Sequence, residues 1–179
     1  MRLKIVPEEQ MTPKLDQAIR RGLVICFPED AEVFSQTRAW HGSAPVWTVV
    51  LEHEGEVIAH VGVVERVIRV GARELRVAGV QSVFVLPEFR RRGLTTSLLE
   101  KAMQEAEARD LDLGLLFCLP ELERVYVRSG WISLGRRPAV RADETGAEVP
   151  LPEKNICMFY PLRQLSFPQG PIHLQGNDW

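Results

Sequence analysis

Residues Pro87–Thr95 read PEFRRRGLT, and this stretch decides the fold because of what lies on either side of it. The segment before it, Leu75–Leu86, is rich in valine and phenylalanine, which favour a β-strand. The segment after it, Leu94–Ala108, carries apolar residues at helical intervals. Gly93 lets the backbone approach a ligand, helix N-terminal amides attract an anion, and arginines add bidentate donors. The stretch therefore predicts a phosphate-binding turn between a strand and a helix.

The chain before this turn predicts an antiparallel meander. Thr12 precedes a proline and an apolar pattern of helical period, which is typical of a helix start. Residues 46–53 and 57–70 then flank Glu54–Glu56, whose central glycine is a hairpin signal. Together with segment 75–86 they predict three sequential antiparallel strands joined by tight turns.

The chain after the turn predicts a parallel strand and smaller elements. Residues 113–119 form a continuous apolar run, which is typical of a buried and possibly parallel strand. Further predicted elements are a short helix at 122–129, strands from 131 and at 156–160, a loop at 135–153 and an irregular tail at 162–179. The pattern predicts a mixed α+β fold in which residues 1–179 form a single domain.

Composition limits the classes of function. Of the 179 residues, 45% are hydrophobic and 26% are charged, and the net charge is -2. A pI near 6.1 gives no general attraction to nucleic acid or to an anionic membrane. The three cysteines have no metal-binding spacing, and neither a signal peptide nor a membrane-spanning run is visible. We therefore expect a cytoplasmic protein without a metal, either a monomer or a homodimer.

The turn resembles a known signature. The pattern Arg90-x-x-Gly93-x-Thr95 is similar to the pyrophosphate-binding motif of the GNAT (GCN5-related N-acetyltransferase) superfamily, in which glycine or alanine usually stands in the place of Thr95. The resemblance implies a mixed sheet of six to seven strands with flanking helices, and acetyl-CoA as cosubstrate in a cleft between two splayed strands. The coenzyme-binding residues that it implies are Val83, Phe84, Val85, Arg90, Arg91, Arg92, Gly93, Leu94 and Thr95.

A second motif supports the same resemblance. Val125–Trp131 reads VYVRSGW and is similar to the Leu-Tyr-x-x-x-Gly-Phe segment of that superfamily. The resemblance implies that Tyr126 lies near the acyl sulfur, where a phenol, protonated at neutral pH, can act as general acid. Leu119 stands where family members often have an asparagine that contacts the coenzyme.

Within the superfamily, residues 57–61, 79–83, 128–131 and 177–179 are most similar to aminoglycoside 2'-N-acetyltransferases. Parts of the same strands also resemble rhizobial nodulation N-acyltransferases. Both groups acylate an amine on an amino sugar. The resemblance therefore implies a small amine as the acceptor, and an amino sugar as one class to consider.

Five residues are candidates for the acceptor site. The resemblance implies that the carboxylate of Trp179 lies there, beside Asp178. Gln81 stands where the aminoglycoside enzymes have an acidic residue, and an amide binds a cation less strongly. Glu29 and Asp30, in the loop after the first helix, offer carboxylates in its place.

The sequence leaves the general base open. The candidates are the Trp179 carboxylate, His60 and a water molecule near Gln81. The alternative for Trp179 is a frayed terminus, and the alternative for His60 is a structural role. Cys118 follows the buried strand without an adjacent base, so we expect the amine to attack the thioester directly.

The resulting hypothesis is an acetyl-CoA-dependent N-acetyltransferase that acts on a primary amine. One alternative is a catalytically silent acyl-CoA-binding or sensing module of the same fold. Another is RNA binding through Arg90–Arg92, which has only Phe89 nearby for stacking on bases.

Overall fold

The computed structural model describes all 179 residues and contains one mixed sheet of ten strands. The strands are β1 Arg2–Pro7, β2 Trp47–His53, β3 Glu56–Val70, β4 Arg73–Val85, β5 Leu113–Cys118, β6 Ile132–Gly135, β7 Ala139–Ala142, β8 Glu148–Pro150, β9 Ile156–Pro161 and β10 Ile172–His173. The helices are α1 Pro13–Cys26, α2 Ala31–Gln36, α3 Leu94–Ala108 and α4 Glu123–Val127. None of them has the length and apolar character that crossing a membrane requires.

The sheet confirms the predicted meander and the parallel pair. Strands β1 to β4 pair antiparallel in chain order, and β5 lies parallel to β4. This parallel ladder covers only Val77–Gly79 and Leu113–Leu115, although β4 continues to Val85 and β5 to Cys118. The two strands therefore separate beyond Gly79 and leave a wedge in the middle of the sheet.

Helices cover opposite faces of the sheet because neighbouring strand residues point in opposite directions. The buried side of α3, with Leu98 and Met103, joins the cluster that contains Val49. Helices α1 and α2 belong to another cluster, which contains Val50. The wedge is thus enclosed within a layered core of helix, sheet and helix.

Some helices begin with the capping residues that the sequence favours, and others do not. The hydroxyl of Thr12 accepts a hydrogen bond from the amide of Leu15 at 3.2 Å, as expected for the cap of α1. Helix α3 begins directly after Gly93, whose φ of +73° is left-handed. Asp30 precedes α2, but its side chain makes no capping hydrogen bond.

The region after β6 corrects one prediction and refines another. Residues 135–153 were expected to form a loop, but they contain the antiparallel pair β7 and β8. The tail at 162–179 was expected to be irregular, and it is so except for β10, which pairs with both β3 and β7. These strands have two to four residues each, so pairing with distant strands, rather than a local pattern, determines them.

Candidate active site

The turn between β4 and α3 is open. Arg91 and Gly93 both have positive φ, at 62° and 73°, so the chain reverses sharply before α3. No atom lies within 4 Å of the position that a Cβ on Gly93 would occupy. No side chain caps α3, so its first amides remain available as donors. This geometry fits a pyrophosphate at the start of the helix.

The three arginines of the turn have different environments. Arg90 Nε donates to the carbonyl of Val85 at 3.0 Å and ties the turn to the end of β4. Arg92 donates to the carbonyl of Glu88 at 3.1 Å, and its guanidinium lies 5.2 Å from the ring centroid of Phe89. None of the three forms a salt bridge with a carboxylate. Their charge is therefore available to an anionic ligand.

The wedge between β4 and β5 opens into a cavity of about 670 Å³, here called the larger cavity. Val80–Val83 line it from β4, and Leu116–Leu119 line it from β5 and the residue after it. Beyond Gly79, β4 has no partner strand on this side. Its unpaired edge therefore runs from the larger cavity to the open turn.

Tyr126 contributes a protonated phenol to the larger cavity. The residue lies in α4, is 9% exposed, and packs edge-on against Trp131 with ring centroids 6.3 Å apart. Burial, with a smaller contribution from Cys118, raises the pKa of Tyr126 well above its ordinary value. The group therefore keeps its proton at neutral pH and can donate it, but it cannot serve as a base there.

Cys118 lines the same cavity and is a poor nucleophile. Burial raises its pKa to about 12, and the charges of Glu123 and Glu121 act in the same direction. Its Sγ lies 3.9 Å from Sδ of Met158. Because the thiolate is the nucleophilic form, this environment argues against acyl transfer through Cys118.

The structure favours a structural role for His60, which the sequence analysis named as a candidate base. His60 is fully buried and does not line the larger cavity. Its Nδ1 lies 2.8 Å from the carbonyl oxygen of Ser82, and its ring stacks on Phe84. Burial lowers the pKa of His60 to about 3. The ring is therefore neutral and has no path to a substrate in the cavity.

Phe84 also differs in role from its neighbours in the predicted coenzyme set. Its ring packs against α1, where a Cβ on Gly22 would lie 2.2 Å from Cζ of the ring. Val83 lines the larger cavity, whereas Phe84 does not. The side chain of Phe84 is therefore part of the core under α1 and does not reach the wedge.

The side chain of Gln81 is hydrogen-bonded to the backbone of the turn at residues 40–43. Its Nε2 donates to the carbonyl of Ser43 at 2.6 Å, and its Oε1 accepts from the amide of Trp40 at 2.7 Å. Both ends of the amide are thus occupied, although the residue lines the larger cavity.

Glu29 and Asp30 line the same cavity without a side-chain hydrogen bond or salt bridge, so their carboxylates are free to contact an acceptor.

Trp179 is packed into the sheet, which contradicts the alternative of a frayed terminus. Its indole covers Gly79, where a Cβ would lie 2.4 Å from Cε2 of the ring. Its Nε1 donates to the carbonyl of Leu115 at 3.3 Å, and the guanidinium of Arg66 lies 5.3 Å from the ring. Trp179 lines the larger cavity together with Tyr126. The role of its carboxylate stays a prediction.

The structure adds His41, which the sequence analysis did not select. Oδ2 of Asp178 lies 2.7 Å from Nδ1 of His41, and Oδ1 lies 3.7 Å from Nε of Arg141. Both His41 and Asp178 line the larger cavity and an adjoining cavity of about 630 Å³, here called the polar cavity. A single histidine in a glycine-containing turn carries no sequence pattern that distinguishes it from a surface residue.

Comparisons with known proteins decide the family. The family model described as "Acetyltransferase (GNAT) domain" matches residues 14–133, which is more than half of the chain. The chain belongs to the GNAT acetyltransferase family. It is an acyltransferase by this membership, and the resemblance predicted from the motifs is confirmed. The comparison with curated proteins found no significant match.

Solved structures share the GNAT fold. An acyl-CoA N-acyltransferase from Pseudomonas aeruginosa is 17% identical, with a TM-score of 0.63 over 89% of this chain and 98% of that protein. A GNAT family acetyltransferase from Brucella melitensis, solved with acetyl-CoA, is 19% identical, with a TM-score of 0.61 over 96% of this chain and 94% of that one. Escherichia coli ElaA is 13% identical, with a TM-score of 0.61 over 89% and 98%.

The GNAT fold thus accounts for the relative positions of the open turn and the larger cavity. The open turn lies at one end of the wedge, and the larger cavity contains Tyr126 and the C-terminal residues. Of the predicted residues, the structure gathers Gln81, Tyr126, Asp178 and Trp179 around one cavity with Glu29 and Asp30. It separates His60 from them.

Proposed function

We propose that this chain is an acetyl-CoA-dependent N-acetyltransferase that transfers the acyl group to a primary amine of a small molecule. The observation that carries the proposal is the unpaired edge of β4, which connects the open turn at Gly93 to the cavity that contains Tyr126. A coenzyme lying along this edge would have its diphosphate at the turn and its thioester near the phenol. Family membership supports acyl transfer as the chemistry.

The binding of the coenzyme follows from backbone groups. The amides of residues 91–95 hold the diphosphate at the start of α3, where the helix dipole favours negative charge. The backbone of Val83–Val85, which has no partner strand on the β5 side, aligns the pantetheine arm. Thr95 is half-buried and leaves the space around Gly93 open, so its departure from the usual glycine or alanine is compatible with this arrangement.

The transfer proceeds by direct attack in a ternary complex. The amine nitrogen loses a proton to a general base and forms a bond to the acyl carbon, the carbon–sulfur bond breaks, and the departing thiolate takes the proton of Tyr126, which solvent then replaces. The acceleration comes mainly from placing the amine and the thioester together in the cavity. The raised pKa of Cys118 supports this route over a covalent acyl-enzyme.

The acceptor is expected to be small and cationic. The larger cavity, at about 670 Å³, has the size of a site for a small molecule. The carboxylates of Glu29, Asp30 and Asp178 line it together with one cation, Lys154, and this excess of negative charge attracts an ammonium group. We propose an amino sugar as the first class to test, with other primary amines as comparison.

A thiol-release assay tests the proposal. The protein is incubated with acetyl-CoA and a panel of amino sugars, aminoglycosides, polyamines and amino acids, and coenzyme affinity is measured in parallel by calorimetry. We expect turnover with at least one amine. Coenzyme binding without turnover on any amine would instead support the silent acyl-CoA-binding module.

A further inference from the structure

The geometry points to His41 as the general base of this site, with Asp178 as its positioning residue. The inference rests on the proposed function, because the base acts on the proton of the amine acceptor proposed there. An amine arrives mainly as an ammonium ion and must lose a proton before or during attack on the thioester. None of the coenzyme-binding groups described above can accept it.

The hydrogen bond to Asp178 fixes the tautomer of His41. A carboxylate can only accept, so Nδ1 of His41 donates to Oδ2 of Asp178 over 2.7 Å. In the neutral ring Nε2 then carries the lone pair, and it makes no hydrogen bond within the protein. The ring also stacks on Trp40, with centroids 4.6 Å apart, which restricts its rotation. His41 therefore presents an oriented ring nitrogen towards the cavities.

The position of His41 gives that nitrogen access to a substrate. The side chain is 48% exposed and lines both the larger cavity and the polar cavity. Tyr126 lines the larger cavity as well. The proton acceptor and the proton donor thus border the same space, as a reaction that removes one proton from the amine and adds one to sulfur requires.

The chain holds the turn at His41 in an unusual conformation. His41 has a φ of +47°, in the left-handed region that a residue with a side chain seldom adopts. Gln81 binds the residues on either side of it, Trp40 and Ser43, and the hydroxyl of Ser43 donates to the carbonyl of Asp178 at 2.8 Å. One hydrogen-bond network therefore fixes the positions of both His41 and Asp178. Backbone strain maintained by a surrounding network is common at functional sites.

Five other ionisable groups around the two cavities are less suited to the role, while the Trp179 carboxylate is the alternative base. Glu29 and Asp30 face the larger cavity, but nothing orients their carboxylates. Asp143, Glu144 and Arg141 face His41 in the polar cavity. Asp143 is already engaged by Thr145 and by the amide of Ala147. Glu144 is exposed. Arg141 bears a positive charge and cannot accept a proton.

The proposed step balances its atoms. The ammonium ion loses its first proton to solvent before attack, Nε2 of His41 takes a second proton from the nitrogen as the nitrogen–carbon bond forms, and the carbon–sulfur bond breaks. The thiolate takes the phenol proton of Tyr126. The imidazolium then releases its proton to solvent, and the phenolate recovers one. The sum is one acetamide and one free thiol from one amine and one thioester.

The test compares variants of the pair with a matched control. His41→Gln keeps a donor for Asp178 but cannot take a proton, and His41→Ala removes the ring. The control is His173→Ala, because Nδ1 of His173 lies 2.6 Å from Oε1 of Glu148 in a pair that lines neither cavity. Coenzyme affinity, measured by calorimetry, shows that each variant is folded.

We expect both His41 variants to lose about 100-fold in turnover on the best amine of the panel, with coenzyme affinity within twofold of the parent. The fall in turnover on the acidic side of the pH profile should disappear, because a protonated base can no longer accept the proton of the amine. Added imidazole should restore part of the activity of His41→Ala. Asp178→Asn should lose about tenfold, and His173→Ala should match the parent.

The outcomes separate this inference from the proposed function. If the parent turns over an amine while His41→Gln keeps its rate and its pH profile, the base assignment is wrong and the proposed function stands. A parent that binds the coenzyme but acylates no amine overturns both. A loss of turnover in His41→Gln without any change in the shape of the pH profile also overturns the assignment, since it indicates a structural role.

Discussion

At the scale of single residues, burial keeps both Tyr126 and Cys118 protonated, so the larger cavity contains a proton donor but no nucleophilic thiolate. Burial raises the pKa of both Tyr126 and Cys118, and the two side chains line the same space. A phenol that keeps its proton is useful beside a departing sulfur, whereas a thiol that keeps its proton is not useful as a nucleophile. The sequence predicted Tyr126 from its motif, but only the fold could show the state of Cys118.

Tyr126→Phe tests the donor. It removes the hydroxyl and keeps the ring against Trp131, so we expect turnover to fall by about 100-fold while coenzyme affinity changes little. Thiol release and calorimetry measure the two quantities. Tyr160→Phe is the control, because Tyr160 also packs against Trp131 but does not line the larger cavity. Unchanged turnover in Tyr126→Phe would remove the phenol from the chemical step.

His60 makes stability depend on pH. Its pKa is about 3 in the folded chain, whereas an unfolded histidine titrates near 6.5. Below pH 6.5 the unfolded state therefore binds a proton that the folded state excludes, and stability is lost as the pH falls towards 3. From pH 7 to pH 5 this residue should lower the free energy of unfolding by about 2 kcal/mol.

His60→Asn should remove this contribution, since an amide can replace the donor to the carbonyl of Ser82 without titrating. Urea unfolding at pH 7 and at pH 5 measures the difference. The exposed His53, changed to Asn, serves as the control and should keep the pH dependence of the parent. An equal pH dependence in His60→Asn and in the parent would contradict the buried, neutral histidine.

At the scale of elements, the turn and its flanking strand and helix were predictable because their signals are local. Periodicity located α3, and Gly93 marked the point where the chain must adopt a positive φ. Strands β7, β8 and β10 were not predictable, because they are short and depend on partners elsewhere in the chain. Proline and glycine around them favoured loops in the sequence.

Gly93→Val tests the turn. Valine at a φ of +73° is strained, although the space around Gly93 is free, so the turn should distort and coenzyme affinity should fall by about tenfold. Gly93→Asn is the matched variant, because asparagine tolerates this conformation and should lose less. Calorimetry with acetyl-CoA measures both. Equal losses in the two variants would indicate that backbone conformation is not the cause.

At the scale of the whole molecule, the acceptor side is built from distant parts of the chain. His41 and Asp178 are 137 positions apart, and they meet because Trp179 docks on the sheet over Gly79 and the hydroxyl of Ser43 holds the carbonyl of Asp178. No local pattern predicts such a meeting. This is why the sequence predicted the coenzyme turn and Tyr126 but did not identify His41.

Gly79→Ala tests the docking of Trp179. The added methyl group would lie 2.4 Å from the indole, so we expect a loss of about 1–3 kcal/mol in the free energy of unfolding and a large loss of turnover. Adding Trp179→Leu should recover part of the stability lost in Gly79→Ala. Urea unfolding of both single variants and the double variant measures the coupling. Strictly additive effects would show that the two residues do not press on each other.

The three-residue ladder between β4 and β5 has a consequence for the energetics of the molecule. Strands β5, β9 and β6 are joined to the other strands only by this short ladder. Thermal fluctuations should therefore separate β4 from β5 more readily than other neighbouring strands. A molecule seated in the wedge would act as the missing strand and oppose that parting. Saturation with coenzyme should therefore raise the melting temperature and slow amide hydrogen exchange along Val80–Val85.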